Sequence, residues 1–370
     1  MSHIDDLIRD LCPNGVEHKP LRELVHIKNG RDFKHLKQGD IPVYGSGGII
    51  SYVNECTSRG PSVLIPRKGS LNKLYFVEGP FWNVDTIFYT QIGEQLEPKF
   101  FYYYFQTLHL ERMNQAGGVP SLTQRTLNEL KIPTPPISIQ WEIVKILDQF
   151  TELEAELEAG LGVRKQQYSH YLNHFFTSNA NTRTRTLRDV GPVRMCKRIT
   201  KNQTSQQGGV PFYKIRTFGG TADAYISREL YNEYKEQYHF PKPGSILISA
   251  AGTIGRAVRY DGKDAYFQDS NIVWIENDET LVLNRYLFYF YKVANWKTDD
   301  GTIKRLYNDR LLNTAIPIPP LSEQHRIVDC LDKFDTLVND LTSGLPAEIE
   351  ARRRQYEYYR DRLLTFPEKK

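Results

Sequence analysis

Apolar residues along this chain switch their spacing twice, at matching places. Ile139, Ile143, Ile146, Phe150, Leu153 and Leu157 follow one another at intervals of 4, 3, 4, 3 and 4. Ile327, Cys330, Phe334, Leu337 and Leu341 follow at 3, 4, 3 and 4. This is the a/d spacing of a helix that buries one stripe, and each stripe would be covered most simply by the other. Elsewhere the apolar runs are short and end in Gly, Pro, Asp or Ser, a pattern that predicts strands and turns. Such runs are "DIPVYGSGG" (Asp40–Gly48), "SVLIPRKGS" (Ser62–Ser70) and "FWNVDTIFYT" (Phe81–Thr90) in the first half. Their counterparts in the second half are "GVPFYKIRTFGG" (Gly209–Gly220), "SILISAAGT" (Ser245–Thr253) and "YFQDSNIVWI" (Tyr266–Ile275), the last run of each half reading as a single strand. The aromatic runs "KFFYYYF" (Lys99–Phe105) and "RYLFYFY" (Arg285–Tyr291) recur at the same place in both series and read as faces packed on a sheet. Each long segment therefore predicts a mainly β domain edged by one or two helices.

The heptad stretches belong to a longer repeat. Aligned without gaps, Ile132–Leu161 and Ile316–Leu345 agree at 15 of 30 positions. Both copies open on prolines (Pro133, Pro135, Pro136; Pro317, Pro319, Pro320), which hold an extended lead-in. Ser138 and Ser322 stand where a helix takes its N-cap oxygen. Gly160–Leu161–Gly162 and Gly344–Leu345–Pro346 predict a kink or break in both copies. A second helical stretch follows each, alignable through Gln167–Tyr168 and Gln355–Tyr356. Copies 184 residues apart cannot form a short helical hairpin, so each helix is read as the return strut of a globular unit. The expected order is a domain at 1–131, a lead-in and long helix at 132–181, a domain at 182–315, and a lead-in and long helix at 316–370.

A length of 370 residues suits two or three domains. The start, "MSHIDDLIRD", lacks the apolar core of a secretion signal, and no run of about 18 apolar residues exists. The cysteines (Cys12, Cys56, Cys196, Cys330) are scattered without a CxxC pair, which predicts reduced thiols in a cytoplasm and argues against a disulfide framework or zinc ribbon. The net charge of +4 is unevenly placed: residues 177–320 carry 21 Lys/Arg against 14 Asp/Glu, whereas 137–176 carry 3 against 6. The positive charge lies outside the helices, where it would attract a polyanion, nucleic acid being the usual one; an ordinary basic surface accounts for charge alone equally well.

Catalytic patterns are sparse. Asp85 with Glu97–Pro98–Lys99 mimics a nuclease metal site, but Pro98 would sit inside the strand that must hold the ligands, and the second half has no equivalent. His170 and His174 have the i, i+4 spacing of a zincin pair without its glutamate. "AAGTIGRA" (Ala250–Ala257) is followed by a strand-like run instead of a helix, so it reads as a hairpin turn and not as a phosphate cradle. The Pro-Pro pairs are followed by Ile137 and Leu321, not by the aromatic residue that grips a flipped adenine.

The order head, "IPxPPxSxQ", helix, given twice, resembles the specificity subunit of type I restriction-modification enzymes. The resemblance runs from "LCPNGVEHKPLRELVHIKNG" to "RRRQYEYYRDRLL". It implies an α+β fold with two globular, mainly β target recognition domains separated by two long helices that form an antiparallel coiled-coil spacer. It implies a non-catalytic subunit whose heads each read one half of a bipartite, asymmetric site in double-stranded DNA. The helices would set the spacing and dock two methyltransferase subunits, with restriction subunits joining the full complex. S-adenosylmethionine would sit on the methyltransferase subunits, and no cofactor, metal or membrane on this chain. The Gly/Pro breaks, and Asn114–Gln115 before a double glycine, depart from the pattern and bear on strut straightness and spacer length.

Base reading needs Arg and Lys for guanine, Asn and Gln for adenine, and further cations for phosphates, all taken here to lie on loops. The first head offers Lys28, Arg31, Lys34, Lys37, Ser46, Arg67, Lys68, Lys73, Gln124 and Arg125. The second offers Lys197, Arg198, Lys201, Lys214, Arg216, Thr217, Thr253, Arg256, Lys304, Arg305 and Asn308. The seam of the spacer would be Ile143, Ile146, Phe150, Leu153 and Leu157 with Ile327, Cys330, Phe334, Leu337 and Leu341. The rival reading is a coiled-coil scaffold whose heads bind protein and need not be basic.

Overall fold

A computed structural model describes residues 2–113, 120–177, 183–299 and 304–369. The Asn114–Gln115 departure lies outside the described residues, as do the residues 117–119 and 301–303 that begin the two lead-ins. The chain forms two compact units, one of residues 1–158 with 348–370 and the other of residues 159–347.

In the first unit, strands Val25–Asn29, Ile87–Ile92, Ser62–Pro66 and Tyr75–Val77 lie side by side in that order, all antiparallel. A second sheet has the order Gly48–Val53, Gln38–Gly45, Trp82–Asn83, its last pair parallel. The second unit repeats this plan. Val193–Arg194, Ile272–Ile275, Ile246–Ser249 and Ala257–Arg259 make its four-stranded sheet. Tyr225–Ile226, Val210–Tyr213 and Tyr266–Phe267 make its three-stranded one, again ending in a parallel pair. Ser62–Pro66 and Ile246–Ser249 are buried along their whole length, which explains their unbroken apolar runs.

"FWNVDTIFYT" and "YFQDSNIVWI", expected as one strand each, are two strands each, and the two belong to different sheets. The polar residues inside the runs supply the bend; Ser270 there takes a positive φ of 54°. The aromatic runs form helices Pro98–Thr107 and Asn284–Val293, with Phe100, Phe101, Tyr103 and Phe105 in one core and Tyr286, Leu287, Tyr289, Phe290 and Tyr291 in the other.

Each head is closed by a short antiparallel pair at the foot of its strut: His18–Pro20 with Lys131–Pro133, and Thr184–Thr186 with Ala315–Pro317. The struts then differ. Ile137–Phe176 is a single helix of 40 residues, unbroken at Gly160 and Gly162, where a kink or break was expected. Glycine costs only about 1 kcal/mol inside a helix, which the packing on either side of the glycines, at Ile139, Ile143 and Leu147 and again at Leu172, absorbs. The second copy does break: Leu321–Asn339 ends, and Leu345–Leu363 starts anew. Asp340 holds the turn, accepting from Thr342 N at 2.8 Å and from Ser343 Oγ at 2.5 Å. Leu341, assigned to the seam, falls in this turn and is 80% exposed. Ser138 and Ser322 are not N-caps either, since both helices begin one residue earlier and Pro320 holds the cap position of the second.

Within each unit the a/d stripe is covered by the head and by an opposing aromatic arm, not by a matching heptad stripe. In the first, Ile139, Ile143 and Leu147 are fully buried in the head core, and Phe150 stacks on Tyr359 at 5.5 Å. One turn later Arg353 meets Glu154 at 2.5 Å, so the arms run antiparallel. In the second unit, Ile327 and Leu331 join the core, and Phe334 packs on Tyr171 at 5.4 Å. Tyr168 donates to Asp335 at 2.9 Å. Leu153 and Leu337 remain more than a third exposed.

Two fully buried glutamines bolt strut to head. Gln140 accepts from Glu97 N (2.8 Å) and donates to the carbonyls of Gln95 (3.0 Å) and Pro135 (2.8 Å). Gln324 accepts from Leu283 N and donates to the carbonyls of Leu281 and Pro319, each at 2.9 Å. Asp148 accepts from Lys99 and Tyr103, and Asp332 from Arg285 and Tyr289, so this second pair of contacts is also repeated.

Candidate nucleic-acid interface

In the first head Thr86 gathers three loops. Its carbonyl accepts from Arg67 N (2.9 Å) and Lys68 N (3.2 Å), and its hydroxyl from Ser46 N (3.4 Å) in the Ser46–Gly47 hairpin turn. The loop after Ser62–Pro66 is also zipped to the segment that leads into helix Gln124–Asn128. Gly69 N donates to Pro120 O at 3.0 Å, Leu122 N donates to Arg67 O at 2.9 Å, and Lys68 bridges Ser121. Gln124, in the first turn of that helix, donates to Ile27 O at 3.3 Å. Asn29, Arg67, Lys68, Ser121 and Gln124 thereby line one cleft of about 360 Å³, with the Arg67 guanidinium 5.8 Å from the Phe88 ring. Arg31 stands two residues beyond Asn29, its N–H donating to Asn83 O at 2.9 Å, and Arg125 is exposed beside Gln124.

The second head is built alike. Its loop 250–256 is zipped to 304–306 by Gly252 N to Lys304 O (3.2 Å), Leu306 N to Ala250 O (2.9 Å) and an Ala251–Arg305 bridge. Arg256 donates to Phe218 O at 2.8 Å, which ties this loop to the turn carrying Lys214, Arg216 and Thr217. Thr217 Oγ1 accepts from Lys214 N at 3.1 Å, and Thr253 O accepts from Ser249 Oγ at 2.5 Å. Arg198 pairs with Asp269 at 2.9 Å, and Arg216 and Lys214 both face Asp223. Exposed pairs of this kind hold a cation by under about 1 kcal/mol, so these side chains stay available to a phosphate.

Not every candidate joins the two clusters. Lys28 lies on strand Val25–Asn29 opposite Tyr89, so it is not a loop residue. Gln124, Arg125 and Asn308 sit in the first turns of short helices, and Lys201 in the single turn Lys201–Gln203. Lys34 is exposed in a turn, and Lys37 lies at the far end of the hairpin, donating from its N–H to Asn54 Oδ1 at 2.9 Å. Lys73 lies beside Gln106 and Tyr356, and Lys197 covers Tyr238 at 4.8 Å. Asn29 and the organising Thr86 were not anticipated. An Asn before a Gly at a strand end was the available signal for the first, while Thr86 acts mainly through backbone partners far away in sequence.

The nuclease pattern dissolves. Glu97 caps helix Pro98–Thr107, accepting from Phe100 N at 2.6 Å, with burial pushing its carboxyl above the usual range. Pro98 is the first helical residue, where its missing N–H costs nothing, and Lys99 donates to Asp148. His170 and His174 are exposed and stacked at 6.0 Å; among the described residues no group of three or more metal-ligating side chains occurs. No helix among the described residues is long and apolar enough to cross a membrane.

Residues 13–162 and 179–351 match the family described as type I restriction modification DNA specificity domain. A putative type I restriction enzyme specificity subunit of Haemophilus influenzae is 48% identical over 369 residues, covering 95% of this chain and 96% of that one. The EcoR124I/EcoR124II specificity subunit of Escherichia coli is 32% identical, covering 73% and 71%. The fold is shared with the type I S subunit of M. genitalium (TM-score 0.58, 13% identity, 94% and 96% covered). It is shared also with a chain solved in work on complex assembly and conformational transition of the type I R-M system (TM-score 0.65, 16% identity, 95% and 98% covered). With two matched domains, two heads of one topology and a strut repeated after each, this chain belongs to the type I restriction-modification specificity subunits.

Proposed function

We propose that each head reads one half of a bipartite, asymmetric DNA site, and that the struts set the gap between halves and dock two methyltransferase subunits. The observation that carries this reading is a contrast. The heads keep one topology and one way of zipping their loops together, yet the residues on those loops differ, while the struts keep 15 of 30 positions. A plan used twice with different side chains suits two readers of different sequences; a surface kept twice suits one kind of partner met twice. The chain itself does no chemistry in this reading. S-adenosylmethionine belongs to the methyltransferase subunits, restriction subunits join through them, and the complex works in the cytoplasm. Arg67, Lys68 and Gln124 in the first head, and Arg256, Lys304 and Arg305 in the second, supply the base-edge and phosphate contacts.

Exchanging residues 12–131 for the corresponding head of a relative tests it. Methylome sequencing of cells carrying each version with its methyltransferase should show one half of the methylated motif changed and the other kept. A change in both halves would remove the two-reader reading.

A further inference from the structure

We infer that Ile49 and Ile50, beside the hairpin turn of the first head, read thymine through its 5-methyl group; this rests on the DNA reading above. Three of the four residues from Ile49 to Tyr52 are large, apolar and about half exposed, at 49%, 54% and 50% for Ile49, Ile50 and Tyr52. They lie on strand Gly48–Val53, an edge of its sheet. Clustered exposure of this kind marks a contact surface, whereas single exposed apolar residues do not.

The place of the cluster names the occupant. The turn before Ile49 is fixed from two sides, by Ser46 N to Thr86 Oγ1 (3.4 Å) and by Tyr75 OH to Ser46 O (3.3 Å). Ile50 lies over Gly45 next to Val84: a Cβ built on Gly45 would stand 3.5 Å from one and 3.6 Å from the other. The same Thr86 anchors Arg67 and Lys68, and Arg31 is hydrogen-bonded to Asn83 next to Val84. The backbones of Arg31, Arg67 and Lys68 are thus held on the same Asn83–Thr86 turn whose Val84 stands next to Ile50, which sets three cations around the apolar tip; Asp85 in that turn is exposed. A surface bordered in this way faces a polyanion, and a two-stranded ribbon is narrow enough for the major groove. In that groove the methyl of thymine is the one apolar group on a base edge, and cytosine lacks it. The second head does not repeat the feature. The turn after Val210–Tyr213 carries Lys214 and Arg216, and Ile226 on the partner strand is buried.

The test uses the full chain assembled with its methyltransferase subunits and duplexes carrying its methylated motif. Each thymine is replaced in turn by deoxyuridine, which removes only the methyl. In the half-site that answers to residues 12–131, one or two replacements should weaken binding by about fourfold each. Ile49→Ala with Ile50→Ala should weaken binding to the unmodified duplex by a similar factor and abolish the deoxyuridine effect. Deoxyuridine without effect in that half-site, or an effect left intact by the double alanine variant, overturns the inference while the DNA reading stands. So does a double variant that fails to assemble with methyltransferase, which would make the tip a protein contact. Absence of any motif-specific binding by the wild-type complex sinks the DNA reading itself.

Discussion

At the scale of single residues, the informative positions are polar and buried. Gln140 and Gln324 are identical in the repeat, and each spends its whole amide on backbone groups, two in the head it supports and one in its own proline lead-in. Replacing either with leucine keeps the bulk but leaves one N–H and two carbonyls without partners, at about 1–3 kcal/mol. Gln140→Leu should lower the melting temperature of the first unit and Gln324→Leu that of the second, by about 2–4 °C per kcal/mol, as read by hydrogen exchange or differential scanning calorimetry. Unchanged melting in both variants would show that the bolts carry no weight. The repeated glutamine was plain in the sequence, but its role was not. Its partners Gln95 and Leu281 are more than 40 residues away, and only the fold brings a carbonyl to an amide. The cations proposed to face DNA were picked as a group, by residue type and by position after strand-like runs. Which of them converge was not, because Thr86 and the zipped loops decide it.

At the scale of elements, the heptad spacing announced both struts, yet the aligned glycines were misread as equivalent. Gly160 and Gly162 sit in continuous helix with open space where a Cβ would go, whereas a Cβ on Gly344 would stand 2.5 Å from Thr336 O and 2.7 Å from Asp340 O. Helix propensity is a weak prior that packing overrides, so the same residue continues one helix and permits the other to turn. Gly160→Ala with Gly162→Ala should therefore stabilise the chain by about 1 kcal/mol each, and Gly344→Ala should destabilise it by more than that. Thermal melts of the two variants should move in opposite directions; the same direction for both would contradict this account of the break. The single-strand reading of "FWNVDTIFYT" failed for a related reason. An apolar run reports burial, and two strands of different sheets can be buried as deeply as one.

At the scale of the whole molecule, the two units are unlike in how the chain supplies them. The second is one continuous stretch of residues 159–347, while the first is assembled from residues 1–158 and 348–370. Those last residues bring Leu363, Leu364 and Phe366 into the first core, Tyr359 onto Phe150, and Lys369 N onto Val16 O at 2.9 Å. The order of synthesis on the ribosome therefore runs against the order of completion. The first head emerges early, waits with part of its apolar surface uncovered while the second head is made, and closes only when the final arm arrives. A chain stopped after Ala347 should yield a sound second unit and a first unit that aggregates or is cleaved in limited proteolysis, while a supplied peptide of residues 348–370 should restore protection. For a gene of this design, a late nonsense codon spoils the part of the protein that was translated first.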